Sequence, residues 1–166
     1  MILGFKTQIK GKPTHFVEKI LALKIEAYKK LYTPKIHTIR NGNRWAKGKT
    51  IQMATGVRTK NYCQFNKNID GLDVCKNVQS IKILRVDDLP KSLYNNSVYV
   101  IDIYCKSLKE TFQMAFKVHV GVRFLNVEEI IKLAVNDGFT NPEEMFNWFD
   151  NQNFAGQLIH WTDFTY

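Results

Sequence analysis

Acidic residues are scarce in this chain of 166 residues: fifteen Asp and Glu stand against twenty-four Lys and Arg, a formal net charge of +9 at pH 7. Such a balance favours an anionic partner, namely nucleic acid, a nucleotide or an acidic surface. The few carboxylates form no metal-binding cluster. Asp70, Asp73, Asp87 and Asp88 read as loop and turn residues, which argues against metal-assisted phosphodiester chemistry, and neither metal nor cofactor is expected. Cysteines number three, Cys63, Cys75 and Cys105. They are too widely spaced for a CxxC pair, so reduced thiols are expected and a zinc site lacks its local ligand pairs. No run approaches the ~18 uncharged apolar residues of a membrane span. The Met1–Lys6 stretch is too short for the apolar region of a signal peptide. A soluble, cytoplasmic protein is therefore expected. There is also no repeat, low-complexity tract or linker, so residues 1–166 are expected to form one domain.

What is present is enough apolar material for a core, 45% of the residues, patterned in two periods. Phe16, Ile20, Leu23, Ala27 and Leu31 recur at helical spacing and predict an amphipathic helix over residues 15–31, started by Pro13 and Thr14 and stopped by Thr33-Pro34. Strand character follows at Lys49–Ala54, Val57–Phe65, residues 74–86, Val98–Cys105 and Thr111–Val118. A turn is expected at Ser107–Glu110, and Asp87–Pro90 ends the long strand before it. Asn126-Val127-Glu128-Glu129 is a capping-box variant, and Asn141-Pro142-Glu143-Glu144 repeats the start signal with Pro at the first helical position. Gly138 suits a left-handed helix end. The aromatics Phe146, Trp148 and Phe149 are expected to pack inside, and Gly156–Phe164 has strand character. This order predicts an α+β fold, a small and mostly antiparallel β-barrel with helices at one side.

The densest collection of chemically useful side chains is Lys35-x-x-Thr38-x-Arg40, read as a loop between helix and strand. Lys35, Thr38 and Arg40 suit anion, phosphate or carbonyl chemistry, while Ile36 and Ile39 anchor the segment. His37 is a candidate ligand contact within it. Arg44, Lys47, Lys49, Arg58 and Lys60 continue a basic run that suits a phosphate backbone, and Trp45 suits base stacking. Against these stand the ordinary alternatives: wet lysines on two strands, and a tryptophan in the core.

The pattern Lys35-x-x-Thr38-x-Arg40, then Trp45 and Lys47-Gly48 before a strand, resembles the activating-signal-cointegrator homology (ASCH) family of the PUA-like superfamily. Asp137-Gly138-Phe139, the aromatic helix after it and Ile159–Phe164 extend the resemblance over roughly residues 14–164. It implies a PUA-like β-barrel that binds RNA, another nucleic acid or a modified nucleoside. One bacterial branch, the 4-acetylcytidine amidohydrolases, hydrolyses an acetyl amide on cytidine. By that resemblance Lys35 and Thr38 take catalytic roles with a carboxylate from further along the chain, which falls on Asp137 where the branch has Glu. Three functions stay open: a binding module acting through Lys35, His37, Arg40, Arg44, Trp45, Lys47, Arg58 and Lys60; an amidohydrolase using Lys35, Thr38 and Asp137; and a protein-interaction scaffold.

Overall fold

A computed structural model describes residues 1–86, 96–105 and 109–166, without the side chains of 103–105. The fold is α+β. Its main sheet follows the order β10 (Arg123–Phe124), β9 (Glu110–Val120), β7 (Asn77–Arg85), β11 (Phe154–His160), β4 (His37–Asn41), and β8 (Tyr99–Cys105) also pairs with β9. Every pairing in this sheet is antiparallel. A second sheet joins β1 (Ile2–Gly4) in parallel to β5 (Gln52–Thr55), which pairs with β6 (Cys63–Gln64). A short hairpin, β2 (Gln8–Ile9) and β3 (Lys12–Pro13), turns through Lys10 and Gly11, both at positive φ as a tight two-residue turn demands. Among the described residues these sheets stay open, so the closed barrel expected from the sequence is not seen.

Where β11 and β4 pair, at Leu158–His160 and His37–Ile39, both faces of the sheet are buried. Ile39, Ile81, Ile83 and Leu158 face a core shared with α3 (Val127–Asn136) and α4 (Pro142–Trp148). Ile159 and Val78 face a second core holding Trp45, Trp161, Leu3, Met53 and Ile20. Adjacent residues of β11 thus enter different cores, as the two-residue strand period requires. The polar residues of β4 lie where the two cores meet.

Helices α3 and α4 begin where their caps predict. Asn126 accepts from the Glu129 amide, and the Glu129 carboxylate accepts from the Asn126 amide. The Asn141 side chain accepts from the Glu144 amide behind Pro142. The first helix differs from expectation. It splits into α1 (Phe16–Leu21) and α2 (Glu26–Lys29), with Ile25 extended between them and His15, not Thr14, at the N-cap. The Thr14 hydroxyl instead donates to the Lys6 carbonyl at 2.6 Å. Beyond Leu23 the apolar stripe finds nothing to pack on, with Ala27 exposed and Leu31 74% exposed, and a short helix without a buried face is not stable. Of the strand expected over Val57–Phe65 only Cys63–Gln64 pairs. Gly56 and Arg58 take positive φ, and Thr59 closes a turn onto the Gly56 carbonyl. The Asp87–Pro90 stop and half of the Ser107–Glu110 turn, Ser107 and Leu108, lie outside the described residues.

Candidate functional site

The segment Lys35–Arg40 is not a loop: from His37 it is β4, at one margin of the main sheet. Alternation along it sends Thr38 and Arg40 to one side and His37 to the other. The other half of the site comes from the end of α3. Asp137 is its C-cap, and Gly138 follows at φ 89°. The main-chain bond from the Ile36 amide to the Asn136 carbonyl, 3.0 Å, fastens the two segments together. A Cβ on Gly138 would lie 3.0 Å from Lys35 Cδ and from the Phe16 ring. Only glycine meets both the backbone angle and this close approach.

Lys35 is 1% exposed. Its ammonium donates to both the carboxylate Oδ1 and the main-chain carbonyl of Asp137. Although Asp is one methylene shorter than Glu, the helix end brings the carboxylate into contact. Lys35 Nζ also lies 4.9 Å from the centre of the Phe16 ring. Burial lowers the Lys35 pKa to about 8; Asp137 opposes the fall, while Arg40 and Lys19 add to it. Burial alone would raise the Asp137 pKa, but Lys35 and His37 outweigh it and hold this carboxyl below its ordinary value. Arg40 donates to the Gly4 carbonyl at 2.6 Å and lies over the Phe5 ring at 5.3 Å. Among the described residues its remaining N–H groups and the Thr38 hydroxyl make no hydrogen bond.

Lys35, Thr38, Arg40 and Asp137 line one small, partly open cavity of about 120 Å³, walled by Phe5, Phe16, Phe139 and Trp148. At ~30 Å³ per water, that is room for about four waters. Lys6 and Trp148 connect it to a wider groove of about 910 Å³, bordered by Lys10, Lys12, Glu143 and Glu144. Lys6 Nζ sits 4.8 Å over the Trp148 ring at this junction.

The other expected site residues lie elsewhere. His37 is fully buried behind Asp137 and takes no part in the cavity wall. Trp45 is 3% exposed, with both its amide and its carbonyl held by Gln157, so it packs in the core and presents no face for stacking. Arg44, Lys47, Arg58 and Lys60 are exposed and do not line the cavity. Arg58 and Lys60 sit on the turn after β5, whose Gly56 and Val57 border an adjoining groove with Gly4, Phe5 and Lys6. Trp148, expected inside with Phe146, is half-buried at the cavity rim. Phe5 and Lys6 carry no local signal; the parallel pairing of β1 with β5 brings them in. Among the described residues no group of His, Cys, Asp and Glu is arranged to hold a metal, and no helix is long and apolar enough to cross a membrane. Comparison of the chain with protein-family models, with curated proteins and with solved structures finds no match.

Proposed function

We propose that this chain is an ASCH-type, PUA-like domain that admits the base of a modified nucleoside to the cavity beside Lys35 and hydrolyses an acyl amide on it. The observation that supports this most is the meeting of Lys35, Thr38, Arg40 and Asp137, from two distant stretches of chain, in one small cavity of about 120 Å³. An exposed basic track would suit a nucleic-acid backbone; a small aromatic-walled cavity suits a single base.

The residues divide the work of amide hydrolysis between them. Neutral Lys35 takes the Thr38 hydroxyl proton as Oγ1 attacks the acyl carbonyl. The N–H groups that Arg40 does not spend on Gly4 stabilise the developing oxyanion. Lys35 then returns its proton to the leaving exocyclic amine. The C–N bond breaks and the acyl group stays on Thr38 until water, deprotonated by the same lysine, attacks it; the C–Oγ1 bond then breaks, Lys35 returns the proton to Oγ1, and the acyl group leaves as the carboxylic acid. Asp137 steers the lysine throughout. With a Lys35 pKa of about 8, roughly one enzyme molecule in ten holds the neutral base at pH 7.

A second reading, recognition without turnover, is favoured by one feature: both acceptors on Asp137 hold Lys35 as an ammonium. Release of acetate from 4-acetylcytidine, free and within an RNA oligonucleotide, separates the two. Hydrolysis by the parent that is lost in Thr38→Ala and in Lys35→Ala supports catalysis. Salt-dependent RNA binding without acetate release would leave recognition alone, and neither result would remove the site assignment.

A further inference from the structure

We propose that Tyr166 and His37 are positioning residues behind Asp137: Tyr166 fixes the His37 imidazole with its proton on Nδ1, and that N–H takes the Asp137 carboxylate when Lys35 releases it. The relay rests on the reading of Asp137 as the working carboxylate.

The direction of the chain follows from counting protons. Asn136 Nδ2 can only donate, and it lies 3.0 Å from the Tyr166 hydroxyl. Burial raises the Tyr166 pKa, so the hydroxyl keeps its own proton. That proton points to His37 Nε2, 3.0 Å away. Burial lowers the His37 pKa, so the ring is neutral. A neutral imidazole that accepts at Nε2 carries its proton on Nδ1. Nδ1 is buried without a hydrogen-bond partner among the described residues and lies 3.8 Å from Asp137 Oδ1.

That oxygen is the one Lys35 occupies. It therefore has one donor in contact and a second, at 3.8 Å, about 0.6 Å beyond hydrogen-bond range. Once Lys35 turns to a ligand or gives up its proton, Asp137 would be left as a buried, unpaired anion, which is costly. A small closure of Nδ1–H onto Oδ1 prevents this. The ring is held for the purpose. His160 and Tyr166 pack against it at 5.2 and 5.6 Å between centres, and Gln79 binds the Tyr166 amide and carbonyl, each at 3.0 Å. The titratable groups facing His37 are Asp137, Lys35, His160 and Tyr166. His160 brings no charge, because burial and the neighbouring His37 take its pKa down to about 3.

The test is ¹⁵N NMR of the histidine rings at neutral pH in the parent, Tyr166→Phe and Lys35→Met. In the parent, His37 is expected as the Nδ1–H tautomer. In Tyr166→Phe, which cannot donate to Nε2, the Nε2–H form should gain. In Lys35→Met the His37 Nδ1 proton should move downfield as it closes on Asp137. An Nε2–H tautomer in the parent overturns the proposal even if neither variant folds, as does an unchanged tautomer in a folded Tyr166→Phe. If the parent hydrolyses 4-acetylcytidine, Tyr166→Phe should shift the pH–rate limb to higher pH, because Asp137 then holds the lysine proton harder. A limb that stays put overturns the relay. The Nδ1–H tautomer without any turnover supports the relay while overturning the hydrolase reading.

Discussion

Asp137→Asn tests the electrostatics of the site through stability alone. In the parent, the carboxylate helps the buried Lys35 hold its proton down to a pKa of about 8. With the anion removed, burial, Arg40 and Lys19 all act in one direction and the lysine pKa falls further. In the unfolded chain the same lysine titrates near its ordinary ~10.4 in both proteins. Both folded states therefore bind fewer protons than the unfolded chain on the alkaline side, and both gain stability as pH rises toward that value. Below pH 8 the two diverge: the parent's fold takes up a proton that the variant's fold refuses. Each pH unit of that difference is worth about 1.4 kcal/mol. The variant should thus fall further behind the parent at pH 6 than at pH 7, by up to about 1.4 kcal/mol, through this lysine. Asp137, held below the ordinary carboxylate pKa, stays charged across that window. Urea unfolding of both proteins at pH 6, 7 and 8 with a thiol reductant measures the difference. A difference independent of pH over this range, or one that grows as pH rises, would refute the reasoning.

Other consequences are simpler. Gly138→Ala places a Cβ 3.0 Å from Lys35 Cδ at φ 89°, and should cost about 1–3 kcal/mol in urea unfolding together with most of any hydrolysis. Asn126→Ala removes the acceptor for the Glu129 amide and should lower stability by about 1 kcal/mol without altering ligand binding. The double variant Arg58→Ala, Lys60→Ala should leave 4-acetylcytidine hydrolysis within about twofold of the parent, since neither residue lines the cavity, while reducing the salt dependence of any RNA binding.

Features carried by local chemistry were legible in the sequence. The caps at Asn126 and Asn141, the left-handed Gly138 and the strands of residues 77–85 and 99–105 depend on neighbouring residues, and they stand where those residues place them. Lys35 and Thr38 were legible as part of a dense run of donors and Asp137 through a resemblance that also implies their roles, and the structure puts all three on one cavity. Features set by distant contacts were not legible. The periodicity of residues 15–31 is helical, but only its first half finds a core, so the helix breaks. Trp45 looks like a stacking platform beside basic residues until Gln157 is seen holding its backbone in the core. His37 sits among the donors in sequence, yet strand alternation turns it away from Thr38 and Arg40 toward Tyr166, 129 residues later. Phe5, Lys6 and Trp148 reach the cavity only through sheet pairing and helix packing.

The pH dependence of 4-acetylcytidine hydrolysis by the parent protein tests the central claim most directly. A base with a pKa of about 8 predicts a rate that climbs close to tenfold per pH unit below that value and levels off above it. Absence of turnover at any pH, or a rate flat between pH 6 and 8, would contradict Lys35 as the base in this cavity.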